Sequence, residues 1–336
     1  MHGKRRPRRA ILERGMRIGV WRIERELGRG GMATVYAVVH TRFGKRAALK
    51  LAHRATSDQR LTPETFLREA RAANLIDHPG VAEVFATGTY EGRPYLAMEL
   101  LSGRSLGARI DPMPRDEALE ILIELCDVLA AAHAAGITHR DLKLDNVLVL
   151  DVPGINGRRT KLLDWGMARI AGEDDPLRNL IAGTLTYVAP EQVRGDEITP
   201  AADVYALAVL AYKLLLGEPP FAASNDLELI ELHLQAQPPR PRTLWAAIPR
   251  ELETTLLAML AKQPADRPAL HEVVRALSHA RSQLRPSKLR WVQPPAPIHG
   301  IGRLALRLFA SRRERVAGAA LLLALTVASL LGVFSA

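Results

Sequence analysis

The sequence predicts an α+β chain in which strands crowd the first third, helices fill the rest and one apolar helix comes last. Three observations carry this. Ahead of residue 101, Trp21-Arg-Ile-Glu-Arg-Glu-Leu27 alternates apolar and polar residues, Thr34-Val-Tyr-Ala-Val-Val39 follows, and Tyr95-Leu-Ala-Met-Glu-Leu-Leu101 reads as a buried strand. Beyond it, Asp116 to Ala135 sets Leu119, Leu122, Ile123, Val128 and Leu129 at helical spacing. Finally, Val316 to Ala336 is 21 residues without a charge.

The 336 residues suit one domain of roughly 265 residues with extensions at both ends. A hydrophobic content of 48% can supply its core. Cys126 is the sole cysteine, so no intrachain disulfide can form, and a reduced compartment fits. The net charge of +10 invites a nucleic-acid reading, but its distribution argues otherwise. Residues 1–15 carry +5 and residues 281–315 carry +8; taking these +13 from +10 leaves −3 for residues 16–280. Basicity belongs to the tails, and no nucleic-acid partner is expected. Lys4-Arg-Arg-Pro-Arg-Arg9 is no signal peptide, because no apolar stretch follows it. Its plain reading is a disordered arm; a sharper one is attraction to an anionic membrane surface.

From residue 16 the elements follow in order. Gly28-Arg-Gly-Gly-Met-Ala33 is a Gly-rich turn between two strands, where backbone N–H groups can approach phosphates. Ala47-Ala-Leu-Lys50 supplies a lysine on a third strand. Phe66 to Ile76 has helical apolar spacing, carries Glu69, and stops before His78-Pro-Gly80. After the long helix comes Gly136-Ile-Thr-His-Arg-Asp-Leu-Lys-Leu-Asp-Asn146, then Lys161-Leu-Leu-Asp-Trp-Gly166. Asp141 has Lys143 two residues on and Asn146 five residues on. Asp164 ends a short apolar segment. Oxygen ligands from two loops beside a lysine suit Mg²⁺ and a polyphosphate rather than a soft metal.

This ordered set resembles the protein-kinase catalytic loop, H-R-D-L-K-x-x-N, followed by a variant of D-F-G. The resemblance spans residues 16–280 and points to the bacterial Hanks-type (eukaryotic-like) serine/threonine kinases. It implies a two-lobed fold, with a small antiparallel β-sheet N-lobe carrying helix C (residues 16–101) and a mainly helical C-lobe (residues 102–280). ATP would then lie against Leu27, Gly28, Arg29, Gly30, Gly31, Met32, Ala33, Val35, Ala48 and Lys50. Met98 would be the gatekeeper and Glu99 to Leu101 the hinge. Lys50 would hold the α/β-phosphates and pair with Glu69. Asp141 would accept the substrate hydroxyl proton, Lys143 would steady the γ-phosphate, and Asn146 and Asp164 would hold Mg²⁺. Asp203 would bind catalytic-loop N–H groups, Thr184 would orient Asp141 and Lys143, and Glu191 would pair with Arg267.

Four departures stand out. Ala33 replaces the third glycine of the loop, and Leu144 replaces a proline; neither removes chemistry. Trp165 replaces Phe, and the helix residue expected to face it is the small Ala73. A small residue against a larger one conserves core volume. Lastly, Arg140 implies a site for an activation-segment phosphate, yet no Ser, Thr or Tyr lies between Trp165 and Gly183. Glu173-Asp-Asp175 is there instead. It reads first as a solvated loop; the alternative is that it stands in for the phosphate.

Residues 281–315 form a basic, Pro-containing linker. Within it Ile301, Leu304, Ala305, Leu308 and Phe309 follow the spacing of a helix lying in a membrane interface. The uncharged 316–336 segment would span roughly 30 Å as a helix, a bilayer core. Arg312-Arg-Glu-Arg315 before it sets the catalytic domain on the cytoplasmic side of the inner membrane. The chain stops there, so direct sensing of an external ligand is not expected. Ala320, Ala324, Ala328 and Gly332 recur every four residues. Generic alanine richness is the plainer reading, and a homodimer packed along this stripe is the other. The expectation is a membrane-anchored Ser/Thr protein kinase that modifies itself and protein substrates with ATP and Mg²⁺. The alternatives are a pseudokinase scaffold and a small-molecule kinase.

Overall fold

A computed structural model describes residues 12–31, 33–53, 63–108, 113–175 and 184–284. The basic arm before Leu12, Met32, the interfacial segment and the 316–336 span all fall outside them. Among the described residues no helix is long and apolar enough to cross a membrane.

The small lobe is an antiparallel sheet with one helix. Its strands are β1 (Arg17–Ile18), β2 (Trp21–Arg29), β3 (Ala33–His40), β4 (Arg46–Ala52), β5 (Val84–Tyr90) and β6 (Arg93–Met98), in the order β1-β2-β3-β4-β6-β5. Helix α1 (Pro63–Ile76) lies between β4 and β5 in sequence. Alternation sorts the side chains: Trp21 and Ile23 face inward beside Tyr36, Val38, Leu49 and Leu51, Arg22 faces solvent, and Ala37, Ala48 and Ala52 are buried on the other face. Register places Val35 opposite Lys50 and Lys50 opposite Leu96, so Lys50 lies mid-sheet. β6 stops at Met98 because the Glu99 N–H turns away to the Glu83 carbonyl (2.9 Å).

The large lobe follows with β7 (Gly103–Ser105), α2 (Arg115–Ala134), β8 (Ile137–Thr138), β9 (Val147–Leu150), β10 (Thr160–Leu162) and β11 (Arg169–Ile170). Then come α3 (Pro190–Arg194), α4 (Ala201–Leu216), α5 (Asp226–Gln235), α6 (Arg250–Met259) and α7 (Leu270–Gln283). Two small antiparallel pairings, β9 with β10 and β8 with β11, present the two loops carrying Asp141 and Asp164 side by side. The Leu163 N–H donates to the Asn146 carbonyl (2.8 Å), which locks those loops together.

Helix α4 is apolar all round, and such a helix must be buried. Val204 to Tyr212 is indeed closed to solvent on every face. Helices α2 and α6 pack against it, and α7 packs on both, in one continuous core with Leu122, Leu129, Leu256 and Leu277. Two charges are sealed into this lobe as a bidentate pair, Arg267 with Glu191 at 2.6 and 2.7 Å. Removing one partner of such a pair costs far more than the pair contributes, because a naked buried charge remains.

His233 on α5 is also fully buried. Its Nδ1 shares a 2.9 Å hydrogen bond with the Tyr205 hydroxyl, and the Phe221 ring stands edge-on to it. Burial, then the nearby Lys262 ammonium, pushes its pKa down to about 4. The unfolded chain takes up this proton near pH 6.5. Stability contributed by a neutral His233 is therefore whole above pH 6.5 and drains away as pH falls towards about 4, by roughly 3 kcal/mol. Urea unfolding as a function of pH checks this: the slope between pH 6.5 and 4 should flatten in His233→Asn, which keeps a partner for Tyr205 but cannot titrate.

Candidate active site

Three elements converge on Lys50. Its Nζ donates to both oxygens of Glu69 on α1 (2.9 and 2.8 Å) and to Asp164 Oδ1 (2.7 Å). Burial alone would push the Lys50 ammonium down. The Asp164 and Glu69 carboxylates override it and hold the lysine protonated well above its usual range. Burial pushes the Glu69 carboxyl up while Lys50 pulls against it, and Lys50 holds Asp164 below the usual carboxylate range. Asp164 occupies the left-handed region (φ 63°), which a residue with a β-carbon adopts only under tertiary constraint.

Trp165 comes next. Its side chain is buried, its ring stands edge-on to His139 with centroids 4.5 Å apart, and its indole N–H donates to the Leu162 carbonyl (3.3 Å). Trp165 shares one core with Ala72, Ala73 and Ile76 of α1, so the small Ala73 lies in the cluster that takes the large ring.

A second knot forms around Asp141. Its Oδ2 accepts from Lys143 Nζ (2.6 Å) and Asn146 Nδ2 (3.1 Å), and Asn146 Nδ2 also donates to the Asp141 carbonyl (2.8 Å). The Asp141 N–H donates to His139 Nδ1 (3.2 Å), so the ring proton sits on Nε2, which donates to the Leu163 carbonyl (3.2 Å). Beneath the loop, Asp203 accepts from the His139 and Arg140 N–H groups (both 2.9 Å) and from His133 Nε2 (2.8 Å). Burial works against that carboxylate, but His133, His139 and the amides outweigh it and keep its pKa low.

At the β2–β3 turn the Gly30 N–H donates to the Ala33 carbonyl (2.9 Å). A Cβ placed on Gly28 or Gly31 would meet nothing within 4 Å, so open space lies beside this turn, where a ligand can approach the backbone. The Arg29 guanidinium folds back to Glu26 (2.9 Å). Leu27 is on the exposed side, while Ala48 is buried and pairs in register with Met98. The Glu99 side chain is taken by Lys161 (2.5 Å), and its N–H by Glu83, so only its carbonyl is left for a base. Leu101 lines a cavity of about 290 Å³ on the outer side of this connection, with Glu99 and Lys161.

Sequence reasoning missed several partners. His53 touches the Gly31 carbonyl (3.1 Å) and the Thr34 hydroxyl (3.0 Å), pinning the Gly-rich turn. Gln192 Nε2 donates to the Arg140 carbonyl (3.0 Å). No spacing signal marks either one. The acidic run reads first as a solvated loop, and here the structure differs: Arg140 grips Asp175 through Nη1 (2.6 Å) and Nη2 (3.2 Å). Thr184 stands in a small cavity with Arg140 and Asp141, but makes no side-chain hydrogen bond to Asp141 or Lys143 among the described residues.

The donor set suits a hard cation. Asn146 spends its amide nitrogen on Asp141 and keeps its oxygen, and Asp164 keeps a second carboxylate oxygen beyond the one on Lys50. No cluster of three His, Cys, Asp or Glu side chains able to hold a metal occurs among the described residues. Two oxygen donors fit Mg²⁺, which completes its shell with water and phosphate oxygens.

Comparison with known proteins settles the family. A protein kinase domain model matches residues 21–277. The chain belongs to the protein kinase family. Among curated proteins it resembles the serine/threonine-protein kinase Pkn1 of Myxococcus xanthus, 40% identical over 256 residues, covering 75% of this chain and 37% of Pkn1. It also resembles the serine/threonine-protein kinase PknF of Mycobacterium tuberculosis, 35% identical over 280 residues, covering 80% of this chain and 58% of PknF. The chain thus spans less than two thirds of these relatives. A crystal structure of a mutant M. tuberculosis PknI kinase domain superposes with a TM-score of 0.62 at 28% identity, covering 81% of this chain and 99% of that one. The kinase domain of this chain resembles those of bacterial serine/threonine-protein kinases.

The Trp165 packing yields a test. Ala73→Leu should overpack the cluster and cost about 1–3 kcal/mol in urea unfolding. Adding Trp165→Phe should recover most of that loss; a double mutant no better than Ala73→Leu would rule out the compensation.

Proposed function

We propose that this chain is a serine/threonine protein kinase of bacterial signalling that transfers the γ-phosphate of Mg²⁺-ATP to protein hydroxyls. One arrangement carries the reading: the Lys50–Glu69–Asp164 knot and the Asp141–Lys143–Asn146 knot stand side by side, on loops tied through Leu163 and Asn146. In this reading Lys50, kept cationic and aimed by Glu69, grips the non-transferred phosphates. Asp141 accepts the hydroxyl proton, oriented by Asn146. Lys143 offsets charge on the transferring group. Mg²⁺, held by the Asn146 oxygen and Asp164, would neutralise phosphate charge. The remaining contribution is alignment of two reactants in one cleft.

The pseudokinase alternative rested on Ala33, Leu144 and Trp165. None of them displaces a polar group from the site, and Trp165 is fully accommodated. Direct measurement decides. Full-length protein with Mg²⁺ and labelled ATP should phosphorylate serine and threonine on itself and on a generic basic protein. Asp141→Asn should lose about 10²–10⁴-fold in rate with nucleotide binding retained. Binding without transfer in the wild type would replace the kinase reading with the scaffold.

The same reading places the kinase at the cytoplasmic face of the inner membrane, anchored by residues 316–336. Its support is the uncharged length and the flanking arginines. Fractionation of cells is the check: full-length protein should remain with membranes after a carbonate wash, and a chain ending at Gly300 should move to the soluble fraction.

A further inference from the structure

A buried guanidinium must have an anion. Arg140 sits at the base of the catalytic loop with all its nitrogens engaged: Nε donates to the Met167 carbonyl (2.6 Å), and Nη1 and Nη2 to the two oxygens of Asp175. The Arg140 side chain is 5% exposed and that of Asp175 11%, so this pair is sealed rather than solvated. Two positions back, Glu173 pairs with Arg71 (2.6 Å), and between them the Asp174 carbonyl accepts from Arg68 (2.7 Å). Three consecutive residues of one segment are therefore each held by a different arginine.

Those arginines come from two places. Arg140 precedes Asp141. Arg68 and Arg71 stand three apart on α1 and so share a face, while Glu69 between them points to Lys50. The acidic run thus joins the helix that aims Lys50 to the loop that carries Asp141. A phosphate at such a position would bring about two negative charges and bidentate acceptors. Glu173 and Asp175 bring two carboxylates. From Trp165 to Gly183 there is no hydroxyl to phosphorylate, and the first ones beyond are Thr184 and Thr186.

We infer that Glu173-Asp174-Asp175 is a permanent substitute for an activation-segment phosphate, holding α1 and the catalytic loop in working register in the unmodified chain. Glu173 and Asp175 are positioning residues. The inference rests on the kinase reading for its activity readout, but the latch itself is structural and has its own measurement.

The experiment uses full-length protein treated with a protein phosphatase until mass spectrometry finds no phosphate. Transfer to an added substrate should start without lag, at a rate within about twofold of the untreated enzyme. Asp175→Asn should lower kcat about tenfold or more while KM for ATP moves less than about threefold, and Asp175→Glu should restore most of the rate. Hydrogen exchange should rise over residues 167–175 and α1 in Asp175→Asn. A lag that ends as phosphate enters Thr184 or Thr186 would overturn the inference, and so would an Asp175→Asn enzyme as fast as the wild type. Should Asp175→Asn fail to fold, the progress curve of the phosphatase-treated wild type decides alone. Should the wild type transfer nothing under any condition, the kinase reading falls; exchange then still tests the latch, which is overturned if Asp175→Asn leaves α1 as protected as before.

Discussion

The arrangement of the site depends on one carboxylate buried where no carboxylate is comfortable. Asp203 lies inside the apolar helix α4 with no exposure to solvent. An unpaired charge there would cost several kcal/mol. The chain offsets this with the His139 and Arg140 backbone N–H groups and the His133 ring. The same contacts that satisfy Asp203 fix the backbone leading to Asp141. Core packing is thereby converted into placement of a reactive group: α4 cannot be buried without the catalytic loop being held.

From that point order spreads by hydrogen bonds that each serve two elements. His139 accepts from the Asp141 amide with one ring nitrogen and donates to the Leu163 carbonyl with the other, so the two loops share one ring. Trp165 meets that ring edge-on and joins the core beneath α1. Helix α1 returns the connection through Glu69 to Lys50, and Lys50 closes the circuit at Asp164. Each link is short and directional, and a shift at one is felt at the others.

Much of this was legible in the sequence. Periodicity located the sheet lobe and the helix lobe, and motif order placed Lys50, Glu69, Asp141, Asn146 and Asp164 together, because those residue types at those intervals have few other reasons to coexist. What escaped was of two kinds. His53 and Gln192 act through the carbonyls of Gly31 and Arg140, and contacts to backbone leave no signature in residue identity. The acidic run escaped for a different reason. Whether an acidic triplet is solvated or sealed depends on where three arginines from distant positions arrive, and sequence shows only that Arg140 wants an anion. Thr184 lies beside Arg140 and Asp141, as its motif places it, but motif membership does not give its hydrogen-bond partner.

The ion pairs divide by geometry, and the division follows their place in the fold. Arg267–Glu191 and Arg140–Asp175 are bidentate and nearly closed to water. Breaking either would strand a charge, so they behave as fixed structure. Lys50–Asp164 and Lys143–Asp141 are single contacts at the cleft, and the Asp164 side chain is 35% exposed. Both pairs lie where an arriving ligand can compete for the two ammonium groups. In the cleft the ammonium groups of Lys50 and Lys143 face three carboxyl groups, Glu69, Asp141 and Asp164, and burial pushes that of Glu69 up. In the proposed reaction a polyphosphate would arrive here together with its divalent cation, which hard carboxylate oxygens favour. The bidentate pairs hold the frame, and the single contacts at the cleft carry the groups that the proposed reaction would turn towards the ligand.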